Sequence, residues 1–364
     1  MKNVKNAFSV PFFHVIKRDD IVWWKAWLIR IIAVIFALIV SGVVTILLTG
    51  INPVDMYVSM IDGAVGTPRL TWNLLQNTAI LLCISLAVTP AFKMKFWNIG
   101  AEGQVLIGGL ATASCMIFFG EKLPTPILIL VMLVTSIISG ALWGLVPAYF
   151  KTRFNSNETL FTLMMNYVAI QLVAYFTLEW SVPKGSGTPR TLVYGQLPAL
   201  FGQKYLINIL LVAVLTVVAY IYLKYSKQGY EISVVGESEN TAKYIGINVK
   251  KVVLRTMAIS GAICGIAGFL LVAGTDHSLK SDTAGGRGFT AIMVSWLAKF
   301  NPVFMVLTSL LIVFLQKGSS KISEVYRLNS SFSDIITGII IFFIIGSEFF
   351  INYKLKISKK EENV

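Results

Sequence analysis

Charge is what this sequence has least of. Of 364 residues only 13% are Asp, Glu, Lys or Arg, where a soluble domain carries about 25%. Apolar residues make up 55%, and mean hydropathy is +0.73. A chain with so little polar surface cannot cover a water-facing exterior, so it faces lipid. Cysteine and histidine are also scarce. Cys83, Cys115 and Cys264 lie far apart inside apolar runs with no paired spacing, and read as small buried hydrophobes. The two histidines, His14 and His277, do not build a metal site with them. No G-x-x-x-x-G-K-[S/T] phosphate loop occurs, so the chain does not itself bind ATP in the usual way. A nucleophile elbow and an H-E-x-x-H helix are missing too, which argues against a membrane enzyme.

The net charge of +13 does not indicate a nucleic-acid partner, because the basic residues lie between apolar runs instead of gathering on one face. That interleaving is how membrane proteins set their orientation. The clearest span is 27–49. Its one charge, Arg30, sits near the start, where a long stem can snorkel to the interface. The run is too long for a signal peptide, and no small-residue cleavage site follows it. Further spans are predicted at 74–92, 102–119, 127–150, 159–178, 206–223, 252–273, 289–299, 303–316 and 335–352. Of these, 74–92, 289–299 and 303–316 are short or contain polar positions, which is tolerated where protein surrounds the backbone. With ten spans and the N-terminus inside, 21 basic residues fall on the inner side and ten on the outer, as the positive-inside rule requires.

The expected fold is therefore an all-α integral membrane protein of about ten transmembrane helices, with both termini cytoplasmic. Eight spans is the fallback, since losing 289–299 and 303–316 together leaves both termini inside. Residues 1–26 form a cytoplasmic or interfacial segment, 27–352 the transmembrane domain with a long cytoplasmic loop at 224–251, and 353–364 a cytoplasmic tail. The tail's Lys359-Lys360-Glu361-Glu362 reads as a solvated end.

Polar residues inside such a chain are costly and therefore informative. The stretch Asn98-Ile99-Gly100-Ala101-Glu102-Gly103-Gln104 puts a carboxylate and two amides at the start of a membrane helix. Glu102 either faces protein or a water-filled path, or favours the positive end of its helix from the interface. Asn166, in mid-span, needs a partner, either another helix or a passing solute. Gly261 with Gly265, and Gly140 with Gly144, form G-x-x-x-G pairs that read as tight helix packing. Gly285-Gly286-Arg287-Gly288 is expected near the outer face, as the helix-breaking start of a re-entrant segment or as a flexible loop. Within 224–251, Gly236 and Gly246 bracket a stretch with Ser238 or Asn240 as N-cap and Gly246 as the residue after the helix. A capped helix outside the membrane with Ala242, Tyr244 and Ile245 available for contact favours a docking surface over a solvated connector.

These residues resemble the permease subunits of bacterial ABC importers, in the branched-chain amino acid, simple sugar and nucleoside group, and most nearly the nucleoside-type permeases. Residues 98–104 are similar to that family's N-I-G-x-E-G-Q signature. Asn157-Glu158, Asn166-Tyr167, Gly236-Glu237 with Ala242 and Gly246-Ile247-Asn248-Val249, Ser260-Gly261 with Gly265 and Gly268, Gly286-Arg287-Gly288-Phe289 and Asn301-Pro302 follow in family order. Two positions depart from the pattern: Trp97 stands where a smaller residue is common, and Lys299-Phe300 replaces small glycine-rich sequence. The resemblance implies a type II importer-like fold in the cell membrane and nucleoside uptake by alternating access. It implies a second, possibly different permease chain, two cytoplasmic ATPase subunits that hold ATP and Mg, and an external solute-binding lipoprotein. This chain itself would bind no cofactor. Gly236, Glu237, Thr241, Ala242, Tyr244, Ile245 and Gly246 then correspond to the helix that couples to the ATPase. Asn98, Glu102, Gln104 and Asn166 are expected near the solute path or fixing its walls. A simple sugar or a branched-chain amino acid is the alternative cargo. An ion-coupled secondary transporter is the rival mechanism, but it should show ionisable residues in mid-span or inverted repeats, and neither is evident.

Overall fold

The computed structural model describes residues 13–18 and 22–357. The expected solvated end at Lys359–Glu362 lies outside the described residues. Two compact units are formed, Met1–Ala64 with Leu315–Val364, and Val65–Phe314.

The first unit holds strand β1 (Phe13–Lys17), helices α1 (Trp23–Thr49) and α2 (Pro53–Val65), and, from the other end of the chain, α13 (Ser330–Asn352) and strand β2 (Tyr353–Ile357). Arg30 of α1 has a partner that the sequence reading did not supply. Its Nη2 lies 2.6 Å from Glu348 Oε1 of α13, and its Nε donates to the same oxygen at 3.1 Å. Pairing satisfies both charges inside an apolar helix pair. Phe36 and Phe343 meet edge to face at 5.2 Å alongside them. Helix α2 lies outside the predicted spans, because thirteen residues containing Asp55 and Asp62 are too short and too polar to read as one. The two strands also lie outside the predicted elements. They pair antiparallel, Phe13 opposite Ile357 and Lys17 opposite Tyr353. The ribbon brings the two ends of the described chain together.

The second unit holds α3 (Pro68–Lys93), α4 (Ala101–Phe119), α5 (Thr125–Phe154), α6 (Glu158–Glu179), α7 (Leu206–Tyr225), α8 (Lys227–Glu237), α9 (Glu239–Tyr244), α10 (Val249–Leu271) and α11 (Arg287–Leu297). Helix α12 (Pro302–Val325) runs from this unit into the first. Short polar side chains start the helices where the sequence supplies them. Thr67, Asn157 and Asn248 accept from backbone amides in the first turns of α3, α6 and α10.

Among the described residues nine helices are long and apolar enough to cross a membrane: α1, α3 to α7, α10, α12 and α13. The modest hydropathy of α3 has a structural cause: 94% of its apolar window is buried within the protein, against 22% for α1. The short span expected at 289–299 is α11, whose 11 residues cover roughly 16 Å, half of a hydrocarbon layer about 30 Å thick. The other half of that crossing is non-helical. After α10 the chain makes a π-helical turn at Val272–Asp276 and returns through 277–286 to the start of α11.

Helix α10 is held between α4 and α5 at backbone distance. A Cβ at Gly265 would overlap the carbonyl oxygen of Ser136, one at Gly261 that of Gly140, and one at Gly268 that of Val105. The glycine pairs of α5 and α10 therefore pack on each other. Gly265→Val is expected to cost about 3 kcal/mol or to prevent folding, read as a lower thermal midpoint or loss of the monodisperse peak in detergent. Gly338→Ala in α13, with nothing within 4 Å of the added carbon, should leave both unchanged.

Candidate functional site

The stretch 98–104 makes its own site because the chain leaves helical geometry inside the bundle. Helix α3 ends at Lys93, Lys95 adopts a left-handed φ of 61°, and residues 96–99 run without helix before α4 begins at Ala101. Backbone amides and carbonyls here would be orphaned at a cost of several kcal/mol each in hydrocarbon. Side chains of α6 take them up. Thr162 Oγ1 accepts from the Ile99 amide at 3.2 Å, Asn166 Nδ2 donates to the Ile99 carbonyl at 2.9 Å, and Asn166 Oδ1 accepts from the Gly103 amide at 2.8 Å. Gly103 carries no side chain because a Cβ would lie 2.9 Å from Asn166 Oδ1.

Asn98 works inward. Its Nδ2 donates to Ser260 Oγ of α10 at 3.1 Å and to Gln104 Oε1 at 3.4 Å, while its Oδ1 accepts from the Gly100 amide at 3.1 Å and from Gln104 Nε2 at 3.4 Å. Glu102 turns to another element. Its Oε1 accepts from the Gly286 amide and its Oε2 from the Gly288 amide, both at 2.7 Å. One carboxylate thus caps the free N-terminus of α11 with two charge-assisted bonds. Gly286, with φ 72°, needs its glycine for this turn, and a Cβ at Gly288 would sit 2.8 Å from Glu102 Oε2.

All four residues singled out in the sequence are buried: Asn98, Gln104, Asn166 and Glu102 are 0%, 1%, 3% and 7% exposed. Asn98 and Gln104 touch each other, Asn166 grips the backbone on either side of Ala101, and Glu102 faces α11. Their bonds are spent on the protein's own backbone and side chains. Ser260 lies roughly 16 Å along α10 from Val249, and Asn166 roughly 12 Å along α6 from Glu158, so this polar seam sits deep in the bilayer. The segment Gly285–Gly288, expected near the outer face, joins it there because Glu102 holds it. Thr162 and Ser260 were not assigned from sequence. Thr162 precedes Asn166 by one helical turn and so shares its face, a readable signal; the pairing of Ser260 needed the fold. Trp97, where the family pattern favours a smaller residue, packs its ring on Trp296 at 5.8 Å and edge-on to Phe92 at 5.8 Å.

The loop between α7 and α10 is built in two steps. Ser226 accepts from the Gly229 amide and starts α8, whose Ile232 and Val235 pack with Ala91, Met94, Phe96, Ala148, Val252 and Met257. Glu231 pairs with Arg255 at 2.8 Å. Gly236 lies inside α8, and a Cβ there would overlap the Lys93 carbonyl at the end of α3. The expected short helix with Ser238 as N-cap and Gly246 after its end is α9, and Gly236 belongs to a second helix, α8, that precedes it. Ser238, in extended geometry, breaks them and caps α9 by accepting from the Thr241 amide at 3.2 Å. Gly246, with φ 85°, closes α9: its amide donates to Lys243 and that of Ile247 to Ala242. Ala242 is buried, while Glu237, Thr241 and Gly246 are exposed, Ile245 is 50% exposed and Tyr244 92%.

Removing the Glu102 carboxylate should orphan the amides of Gly286 and Gly288 at about 1–3 kcal/mol each. Glu102→Ala is expected to lower the thermal midpoint in detergent by more than Glu102→Gln, which keeps one acceptor. An unchanged midpoint in both would contradict the capping role.

Comparison with known proteins agrees with this architecture. A family profile described as branched-chain amino acid transport system / permease component matches residues 70–345. A glucose ABC transporter permease of Haloferax volcanii is 30% identical over 92% of this chain and 91% of its own length. A guanosine ABC transporter permease of Bacillus subtilis is 28% identical over 92% of this chain and 98% of its own. A nucleoside ABC transporter permease of Lactococcus lactis is 25% identical over 87% and 90%. The profile covers the whole broken-helix core, from the start of α3 to the middle of α13. This multi-pass membrane protein belongs to the family of branched-chain amino acid transport system permease components.

Proposed function

We propose that this chain is the permease subunit of an ATP-driven importer in the cell membrane, with both termini and α9 on the cytoplasmic side, and that its cargo is a nucleoside. The observation that carries the coupling assignment is α9 itself. It is a helix capped at both ends, seated on Ala242, that leaves Tyr244 almost fully open to its surroundings. A large aromatic presented on a fixed, short helix suits a groove on a partner protein. In this reading the partners are two cytoplasmic ATPase subunits that hold ATP and Mg, a second permease chain, and an external solute-binding lipoprotein. Closure of the ATPase pair would push α9, and the motion would pass through α8 to the end of α3 and the start of α10. Asn98, Glu102, Gln104 and Asn166 fix the walls of the path and keep the broken helices together while they tilt.

The nucleoside assignment draws support from the relatives named for guanosine and nucleoside transport. A sugar is the second reading, favoured by the glucose permease of Haloferax volcanii.

In the transporter assembled with its ATPase and lipoprotein, Tyr244→Ala combined with Ile245→Asp should abolish uptake and ATPase co-purification while membrane insertion persists. Normal uptake by that variant would remove the coupling assignment. Uptake of labelled guanosine by the intact transporter should be competed by unlabelled nucleosides and not by glucose. Saturable glucose uptake with no competition from nucleosides would assign the sugar instead.

A further inference from the structure

A second polar cluster in the Val65–Phe314 unit is not used by the buried seam. Arg287 opens α11, and its Nη1 donates to the carbonyls of Thr283 at 3.2 Å and Ala284 at 3.3 Å. Its Nη2 donates to Asn77 Oδ1 of α3 at 3.1 Å. Asn77 Nδ2 in turn donates to the Asn73 carbonyl at 2.8 Å and to Asn73 Oδ1 at 2.6 Å. The guanidinium is thus fixed from behind. Its Nε and the side-chain nitrogen of Asn73 carry no hydrogen bond among the described residues. Arg287, Asn77 and Asn73 are each half-buried, and Gly285, Gly286 and Phe289 beside them are exposed.

Depth makes that exposure informative. Asn77 lies roughly 14 Å along α3 from Pro68 and roughly 24 Å from Lys93. Arg287 follows Gly286, whose amide Glu102 holds in the seam. A charged group with unfilled donors is therefore partly exposed within the hydrocarbon depth. Lipid offers no acceptors there, and a central Arg costs about 2.5–3.5 kcal/mol on insertion scales. Snorkelling is closed to it, because both Nη atoms are tied to the protein. An exposed face of that kind is suited to water or a polar solute rather than to lipid.

We infer that Arg287, Asn77 and Asn73 line the solute path and form a binding station for a neutral polar solute, held through its carbonyl, hydroxyl or ring-nitrogen acceptors. The inference rests on the permease reading above and adds a position on the path. The charge around the station selects the solute class. Glu102, bound to the amides on either side of Arg287, sets a carboxylate beside the guanidinium, which disfavours solutes bearing phosphate or carboxylate groups.

The test is thiol accessibility in the assembled transporter, where the native Cys83, Cys115 and Cys264 are buried. Asn77→Cys, or Phe289→Cys if the former does not fold, should react with a membrane-impermeant methanethiosulfonate. Saturating guanosine should slow that reaction several-fold. Ile138→Cys, on the exposed apolar face of α5, should not react. If both station variants are as inert as Ile138→Cys, the cluster faces lipid or a sealed subunit contact, and the inference fails. Arg287→Lys should raise the KM for uptake about tenfold with a smaller change in kcat, since a point charge replaces the planar fork; an unchanged KM also overturns the inference. Should the transporter carry no nucleoside, reactivity in the absence of solute still reports whether the station lies on a water path.

Discussion

Backbone that leaves helical geometry inside a membrane must find hydrogen-bond partners in the protein, and the core of this fold is organised around meeting that demand in two places at once. The chain breaks at 96–100 before α4 and again at 277–286 before α11. Glu102 joins the two breaks, because it starts one interrupted helix and caps the other through Gly286 and Gly288. Thr162 and Asn166 of α6 and Ser260 of α10 close the remaining gaps around Ile99, Gly103 and Asn98. A burial that would be expensive for each residue alone becomes a mutually satisfied network.

The arrangement also gives the exposed loop a mechanical route to the interior. Ala242 of α9 and Ile232 and Val235 of α8 share one apolar cluster with Met94 and Phe96, which lead directly into Asn98, and with Val252 and Met257 of α10. Gly236 rests against the last carbonyl of α3. Further along, α10 touches α4 and α5 through glycines, so there is no compressible layer of side chains between these helices. An apolar side-chain cluster thus connects α9 to Met94 and Phe96 beside the polar seam, and glycine contacts at backbone distance join α10 to α4 and α5 beyond it.

Much of this was legible in the sequence, and the misses have physical causes. Hydropathy located the long helices, because a lipid-facing helix must be apolar on its own account. The glycine pairs and the caps at Ser238 and Gly246 were readable for the same reason: they answer to local geometry. What a one-dimensional reading could not supply was partnership. Arg30 reads as an interfacial cation until α13 brings Glu348 beside it from the far end of the chain. Residues 289–299 read as a short span, because only the capping carboxylate from α4 shows that α11 begins deep in the bilayer. The ribbon of β1 and β2 pairs residues more than 330 positions apart, a register that no local pattern encodes. Among the site residues, the polar set at 98–104 stood out by its cost, whereas Thr162 and Ser260 are residue types that membrane helices tolerate routinely, so their partners alone reveal them.

The central claim is that Glu102 locks the start of α11 to α4. Amide hydrogen exchange, resolved at residues 286–290 in the purified transporter, tests it most directly. The account predicts slow exchange at Gly286 and Gly288 in the native chain and a selective acceleration there in Glu102→Ala, with α5 and α10 unaffected. Exchange in the native chain as fast as in the exposed 182–188 loop, or an unchanged rate in Glu102→Ala, would contradict it.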